Sequence, residues 1–360
     1  MGAMGQRSKH VFLSLAIVVM LVAHSQWRLT MNREYAPDTW EQLISLDAPR
    51  PFGLRVLVPL LARPFVAWHI ASPEQMFGLL EFAFSAALFV ALWQLFTTWL
   101  PRAQALVASY VFFLILTIPF LLQHRWPLYY PYDTASMFFM AAGMYAVVQQ
   151  RWRWALLIVL VGTTNRETTF LIPLFAASYY ISTRHRTLAL RWTALMFLSY
   201  GVVRLGLYTW LRDLPGPALH LTLDGTWRLT SNLQWLRSPT HWPLLLSYLG
   251  SLPLWWVVFF DAIPSSLRNT RYVSVFFFIV LMCVGNVYEP RIYGELLVLL
   301  YVPAVVGLTR WLADQSTSYR KSATNNNKLQ HALDMPGVSV TIVLSIVATL
   351  AFLFLNPLPG

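Results

Sequence analysis

Apolar residues fall in long unbroken blocks divided by short polar connections, with none of the strict alternation of a half-buried strand. Windows of about 20 apolar residues, the length a helix needs to cross a bilayer, predict spans at 76–98, 103–122, 133–148, 188–210, 244–260, 272–287, 296–312 and 338–355. An earlier block, 11–23, follows Arg7 and Lys9 and runs on through Trp27 and Leu29. Ala23-His24-Ser25 loosely fits a signal-cleavage site, but that extension and the many spans after it favour an uncleaved signal anchor.

Two stretches depart from the pattern. Segment 154–163 would reach only about 15 Å as a helix and 168–181 about 21 Å, which predicts a hairpin of two short helices with Asn165-Arg166-Glu167 at its tip. Segment 51–70 is apolar but interrupted by Arg55, Pro59, Arg63 and Pro64, and reads as re-entrant or interfacial. The expected fold is all-α: a polytopic transmembrane helical bundle of about 9–11 spans. It occupies 1–312, followed by a polar cytoplasmic linker at 313–336 and a C-terminal transmembrane helix at 337–360.

Composition agrees. With 57% hydrophobic residues, 11% charged and 16 Trp, the chain is no ordinary soluble globule. The formal charge of +11 does not call for nucleic acid, because the basic residues are scattered through short loops and all but Lys9, Lys321 and Lys328 are Arg. Placing Arg7 and Lys9 in the cytoplasm also places Arg102, Arg151, Arg153, Arg184, Arg186, Arg268 and all three lysines there. Asp47, Arg55, Arg125, Asp133, the 165–167 tip and the 289–295 segment then fall toward the outer face. A lone cysteine, Cys283, excludes an intramolecular disulfide and a cysteine-rich zinc site. The sequence holds no phosphate loop, His-Glu-x-x-His or Gly-x-Ser-x-Gly motif, so ATP-driven transport by this chain alone is not expected. It also shows no pair of inverted halves.

Against this apolar background, polar residues at membrane depth carry the chemistry. In Thr163-Thr164-Asn165-Arg166-Glu167-Thr168-Thr169, an amide, a guanidinium and a carboxylate stand in a row. Each charge costs roughly 2.5–3.5 kcal/mol to bring to the bilayer centre. The cluster is either an Arg166–Glu167 ion pair tying helices together or the lining of a polar cavity. A second cluster runs from Gly285 to Glu295; on a helix starting near Pro290, Arg291 and Glu295 would share a face at i, i+4 and pair. The alternative is a charged loop capping that helix. Asp133, after Tyr129-Tyr130-Pro131-Tyr132, opens a helix either as an N-cap or as a functional carboxylate. The loop Gln123-His124-Arg125-Trp126 is interfacial, or binds an anionic headgroup. In 211–243, Trp227, Trp235 and Trp242 stand among His220, His241, Arg212, Arg228 and Arg237; an aromatic belt accounts for them more simply than sugar stacking does.

Leu54-Arg55-Val56-Leu57-Val58-Pro59 after the first outer loop, Tyr132-Asp133 opening a helix, Asn165-Arg166-Glu167-Thr168 between short helices, and Glu289-x-Arg291-x-x-x-Glu295 before a late helix together resemble a group of bacterial polytopic proteins. These are similar to the GT-C superfamily of lipid-phosphosugar-dependent glycosyltransferases. The resemblance implies a GT-C-like bundle in the bacterial cytoplasmic membrane. It implies a polyprenyl-phosphate sugar donor and a glycan, lipid or protein acceptor on the outer face. A carboxylate would deprotonate the acceptor hydroxyl, and arginines would stabilise the departing phosphate. That arginine role goes to Arg55, then Arg166, then Arg291. The adjacent acidic pair of better characterised members is missing after the first span, where Glu34, Asp38, Glu41 and Asp47 are spread out instead. Asp47, beside the re-entrant segment, is preferred to Asp38 as the base. Asp133, Glu167 and Glu289 would orient the arginines or the sugar hydroxyls, with Asn165, Glu295 and Arg125 completing the substrate side. No cofactor is implied, though a divalent cation is compatible with the chemistry. The rival classes are a polysaccharide polymerase or ligase and a lipid-linked sugar transporter or flippase.

Overall fold

Helix α1 (Gln6–Met31) continues without a break past His24, Trp27 and Arg28, so the first apolar block is one long helix. The computed structural model describes residues 6–32, 39–120, 128–181, 183, 185–217, 221–223 and 226–321, with side chains from 12 to 315. Asp38, Arg125 and the expected span at 338–355 lie outside the described residues.

A short α2 (Trp40–Ser45) is opened by a capping box between Thr39 and Gln42 and closed by Leu46 in the left-handed conformation. The chain then passes through a 3-10 turn (Phe52–Leu54) into α3 (Leu57–Ala67). At 11 residues α3 reaches only about 16 Å, which agrees with a segment that does not cross the bilayer. Gly53 lies against the Ala48 carbonyl, where any Cβ would collide, so the turn that carries Arg55 folds tightly onto the loop before it. Helix α4 (Pro73–Phe96) starts on a second capping box, Ser72 with Gln75, and has Pro73 in its first turn. Next come α5 (Arg102–Phe120) and α6 (Asp133–Val148), the latter with the bounds the hydropathy predicts.

Helices α7 (Trp152–Asn165) and α8 (Leu171–Tyr180) are joined by a 3-10 turn, Glu167–Phe170. The Trp152 and Tyr180 rings meet at 5.4 Å, so the chain returns to the level at which it set out and the pair is a hairpin, as expected. Both arms pack against α6 and against α9 (Arg186–Trp210). A two-stranded hairpin, Thr222–Leu223 with Thr226–Trp227, leads into α10 (Arg228–Leu236). Helices α11 (His241–Tyr248) and α12 (Leu252–Phe259) bend by 78° at Gly250 and Ser251, both left-handed. Short α13 (Ser265–Arg268), α14 (Thr270–Val284) and α15 (Gly294–Lys321) complete the bundle.

Among the described residues, six helices are long and apolar enough to cross a membrane, or seven if α11 and α12 form one bent span. The chain is thus a multi-pass membrane protein of the all-α class. This count covers the described residues, so it leaves out the expected span at 338–355; it also leaves out α6, with only 16 residues, and the two short arms of the hairpin. Helix α15 runs on to Lys321, over the first residues of the expected linker at 313–336, and 322–336 lie outside the described residues.

Two helices form the centre. In α15 the run from Leu296 to Val302 is buried on every side, the mark of a helix enclosed by protein. Tyr301 donates its hydroxyl to the Ala108 carbonyl at 2.7 Å, fixing α15 to α5. Helix α6 buries Ala135, Ser136, Ala141, Gly143 and Ala146, small residues that let neighbouring helices approach closely. A Cβ on Gly143 would come to 2.6 Å from Ile172 of α8. In contrast α1, α9 and α14 turn large apolar residues outward, among them Val19, Leu198, Val202, Leu205, Val275 and Ile279, and form the lipid-facing rim.

Candidate functional site

The ends of α1 and α7 and the starts of α6 and α15 meet at one end of the bundle, each bringing charge into a buried layer. Asp133, in the first turn of α6, is the centre. Its Oδ1 receives Arg166 Nη1 at 3.1 Å, and its Oδ2 faces Arg28 Nη2 at 3.6 Å and Arg291 Nη1 at 3.7 Å. The helix itself is capped by Tyr132, so Asp133 is an ion-pair hub and not the N-cap. Its position in the first turn adds the favourable pull of the helix dipole.

Behind Asp133 lies a second buried pair. Arg28 Nη1 meets Glu81 Oε1 at 3.0 Å, and Thr134 donates to the same carboxylate at 2.6 Å. The Arg28 guanidinium sits between the rings of Phe120 and Tyr129, at 4.7 and 5.3 Å.

Adjacent Arg166 and Glu167 do not pair with each other. Arg166 is extended (φ −157°, ψ 146°) between α7 and the 3-10 turn, and consecutive side chains of extended backbone point opposite ways. Arg166 goes to Asp133 and, at 3.4 Å, to Glu295. Glu167 goes to Arg55, with Nη2 to Oε1 at 2.6 Å and Nε to Oε2 at 3.2 Å. Arg55 also lies over the Tyr132 ring at 4.6 Å. Burial alone would raise the Glu167 carboxyl; the charge and hydrogen bonds of Arg55, with Arg166 and Arg204 adding, outweigh it and hold the group at about 2.

The expected i, i+4 pair of Arg291 with Glu295 does not form either. Pro290–Tyr293 is a 3-10 turn, with about three residues per turn, so the two side chains leave in different directions. Arg291 pairs with Glu289 and Asp133 and lies 3.5 Å over the Tyr130 ring. Glu295 accepts the Thr168 hydroxyl and faces Arg166.

This layer forms one wall of a cavity of about 550 Å³. Of the residues singled out from sequence, Arg55, Arg166, Glu167, Glu289 and Arg291 line it. Asp133, Asn165 and Glu295 stand behind that lining and hold it in place; Asn165 donates to the Tyr132 carbonyl at 3.0 Å and pins the hairpin tip to α6. Asp47 is exposed on the turn after α2 and does not reach the cavity. Of the remaining lining, Arg204, Tyr200 and Tyr208 from α9 were not singled out, while Arg228 from α10 stood only among the aromatic-belt residues of 211–243 and Asn286 only within the 285–295 cluster. Arg28 and Glu81 were not singled out either. Arg28, Glu81 and Arg204 carry one signal in common, an ionisable residue inside or at the end of an apolar run. The opposite wall is apolar, formed by Phe277, Val280, Leu281 and Val284 of α14 and Ile292.

Among the described residues, no group of three or more His, Cys, Asp or Glu could hold a metal ion. The lining can neutralise an anion, orient hydroxyls through the two carboxylates, and shelter an apolar chain against α14. Comparison with family models finds no match for this chain, and comparison with curated proteins finds none.

Proposed function

We propose that this chain is an integral membrane glycosyltransferase that moves a sugar from a polyprenyl-phosphate donor to an envelope glycan, lipid or protein acceptor. In this reading it lies in the bacterial cytoplasmic membrane with its N-terminus in the cytoplasm and the cavity toward the outer face. The supporting observation is the cavity itself: five guanidiniums and two carboxylates on one side and an apolar α14 wall on the other. Such a division suits a ligand with an anionic head and a hydrocarbon tail.

In the reaction, the acceptor oxygen bonds to the anomeric carbon as the bond from that carbon to the phosphate oxygen breaks. The electron pair leaves with the phosphate, where arginines stabilise it. The hydroxyl proton passes to a carboxylate, which has to be within hydrogen-bond reach. Among the described carboxylates, Glu167 and Glu289 line the cavity. Both are paired, Glu167 with Arg55 through both oxygens and Glu289 with Arg291 through one; in this reading Glu289 takes the proton and Glu167 keeps Arg55 oriented. Asp47, exposed and off the cavity, is not assigned that role.

The test is incubation of the purified protein in lipid with radiolabelled polyprenyl-phosphate sugars and an acceptor extract. Label should pass to acceptor with wild type and fall by about 10²–10⁴ with Glu289→Gln, the range for loss of a general base. Transfer only from lipid-linked oligosaccharides would make the protein a polymerase or ligase. Movement of label across vesicles with no new glycosidic bond would make it a transporter.

A further inference from the structure

Among the described residues six arginines are buried, five lining this cavity and Arg28 behind it, and they are not equivalent. Arg28, Arg55, Arg166 and Arg291 each face at least one protein carboxylate within ion-pair distance, and they share five of them: Glu81, Asp133, Glu167, Glu289 and Glu295. Their charge is fully answered from within the protein. Arg204 and Arg228 are also more than nine-tenths buried, yet neither has an ion pair among the described residues. Arg204 donates from Nη2 to the Tyr208 hydroxyl at 3.3 Å and leaves Nη1 without a partner. Arg228 donates from Nη1 to the Asn286 side chain and leaves Nε without a partner among the described residues. Both line the cavity. Arg204 feels the Glu167 carboxylate across the cavity without bonding to it; a buried cation with no directly bonded counter-charge is costly to keep, and guanidiniums with unused N–H donors match the oxygens of a phosphate.

A second cavity, of about 350 Å³, runs along α8 between α9 and α14 and is lined by Leu174, Ala177, Leu190, Val273 and Phe276. Phe170 lies between the two cavities, its ring 6.2 Å from Tyr200 and 6.4 Å from Phe276. An apolar furrow on the lipid-facing side thus leads up to the charged cavity.

We propose that Arg204 and Arg228 are the anchor for a phosphate carried on a lipid chain, with the chain lying in the furrow between α9 and α14. This deepens the donor-binding part of the proposed function. It transfers the phosphate from Arg55, Arg166 and Arg291 to two residues outside those motifs. The four paired arginines hold the wall, and the two with no ion pair among the described residues supply the attraction.

The experiment is equilibrium binding of radiolabelled polyprenyl phosphate to the full chain in nanodiscs of neutral phospholipid, with inorganic phosphate as competitor and with unfolding temperature measured in parallel. Arg204→Gln and Arg228→Gln should each weaken binding at least about tenfold, the scale of a lost charge-assisted hydrogen bond. Arg204→Lys should recover part of the loss. Exposed Arg212, changed to Gln, should leave binding unchanged. The ligand-free Arg204→Gln protein should be about as stable as wild type, because Arg204 bonds no described carboxylate and Glu167 keeps Arg55; a purely structural arginine would give a clear loss. Unchanged affinity in both Gln variants overturns the proposal. Displacement of the lipid by equimolar inorganic phosphate overturns the lipid source. Tight binding that depends on Arg204 and Arg228, with no sugar transfer from any donor, would sink the glycosyltransferase reading and leave this site standing. Transfer with wild-type KM in the double variant would do the opposite.

Discussion

Arg55 and Glu167, 112 residues apart, form a two-point ion pair at 2.6 and 3.2 Å that ties the turn before α3 to the tip of the α7–α8 hairpin. Each partner fixes a different element, so the pair sets the width of the cavity between them. Removing one leaves the other at a partly buried site without compensation. Arg55→Ala and Glu167→Ala should each destabilise the protein, and the double variant should lose less than the sum, with a coupling of about 0.5–3 kcal/mol. A double-mutant cycle on unfolding in mild detergent measures it; strict additivity would mean the pair contributes nothing.

The same pair has a pH signature. Glu167 lies in the turn between the hairpin arms, outside the candidate spans. Its carboxyl is held at about 2 against an ordinary 4.5. A depressed carboxylate adds stability that is complete above its ordinary value and is lost as pH falls toward the folded one. The difference in unfolding temperature between wild type and Glu167→Gln should therefore be flat from pH 8 to pH 5 and shrink below about 4.5. A difference that changes between pH 6 and 8 would contradict this assignment.

Buried Arg28 and Glu81 carry a different expectation, because they sit inside α1 and α4 and touch no cavity surface. Glu81→Leu leaves Arg28 with Asp133, at 3.6 Å, as its one described carboxylate beside the Thr134 hydroxyl, and should cost about 3–5 kcal/mol, the range for breaking a buried pair. Arg28→Met combined with Glu81→Leu should recover most of that, since Asp133 keeps Arg166 and Arg291. Expression level and resistance to detergent unfolding report both; a double variant worse than either single would show that the charges, and not their pairing, are required.

How far the chain could be read beforehand follows from what each signal depends on. Helix α6 and the hairpin were legible because length against bilayer thickness is a local property, and 154–163 and 168–181 are too short to be anything but arms. Topology put the 165–167 tip, Asp133 and the 289–295 segment toward one face, but that they touch was not legible, because it depends on how distant helices pack. The pairings were not: Arg291 with Glu295 fails because a 3-10 turn intervenes, and Arg166 with Glu167 fails because the backbone is extended there. Both depend on a few backbone angles that hydropathy does not register. Asp47 was preferred because it adjoins Pro49-Arg50-Pro51 and the re-entrant segment, but after left-handed Leu46 it is exposed. Arg204 and Glu81 were passed over because a window of about 20 residues averages one charge away.

Asp133 answers three guanidiniums at once, and that makes its substitution the sharpest separation of stability from binding in this site. Asp133→Asn keeps the volume and most hydrogen-bond geometry but removes one negative charge facing Arg28, Arg166 and Arg291. Arg28 keeps Glu81, and the other two keep Glu295 and Glu289, so the fold should persist with a loss of about 1–3 kcal/mol, the cost of a weakened buried polar contact. Arg166 and Arg291 line the cavity, and each would be left with less compensation, so its potential becomes more positive. Polyprenyl phosphate should then bind more tightly than to wild type even though the protein is less stable, and release of the phosphate product should slow. Binding that weakens in proportion to stability would instead make Asp133 a purely structural hub whose charge the cavity does not sense.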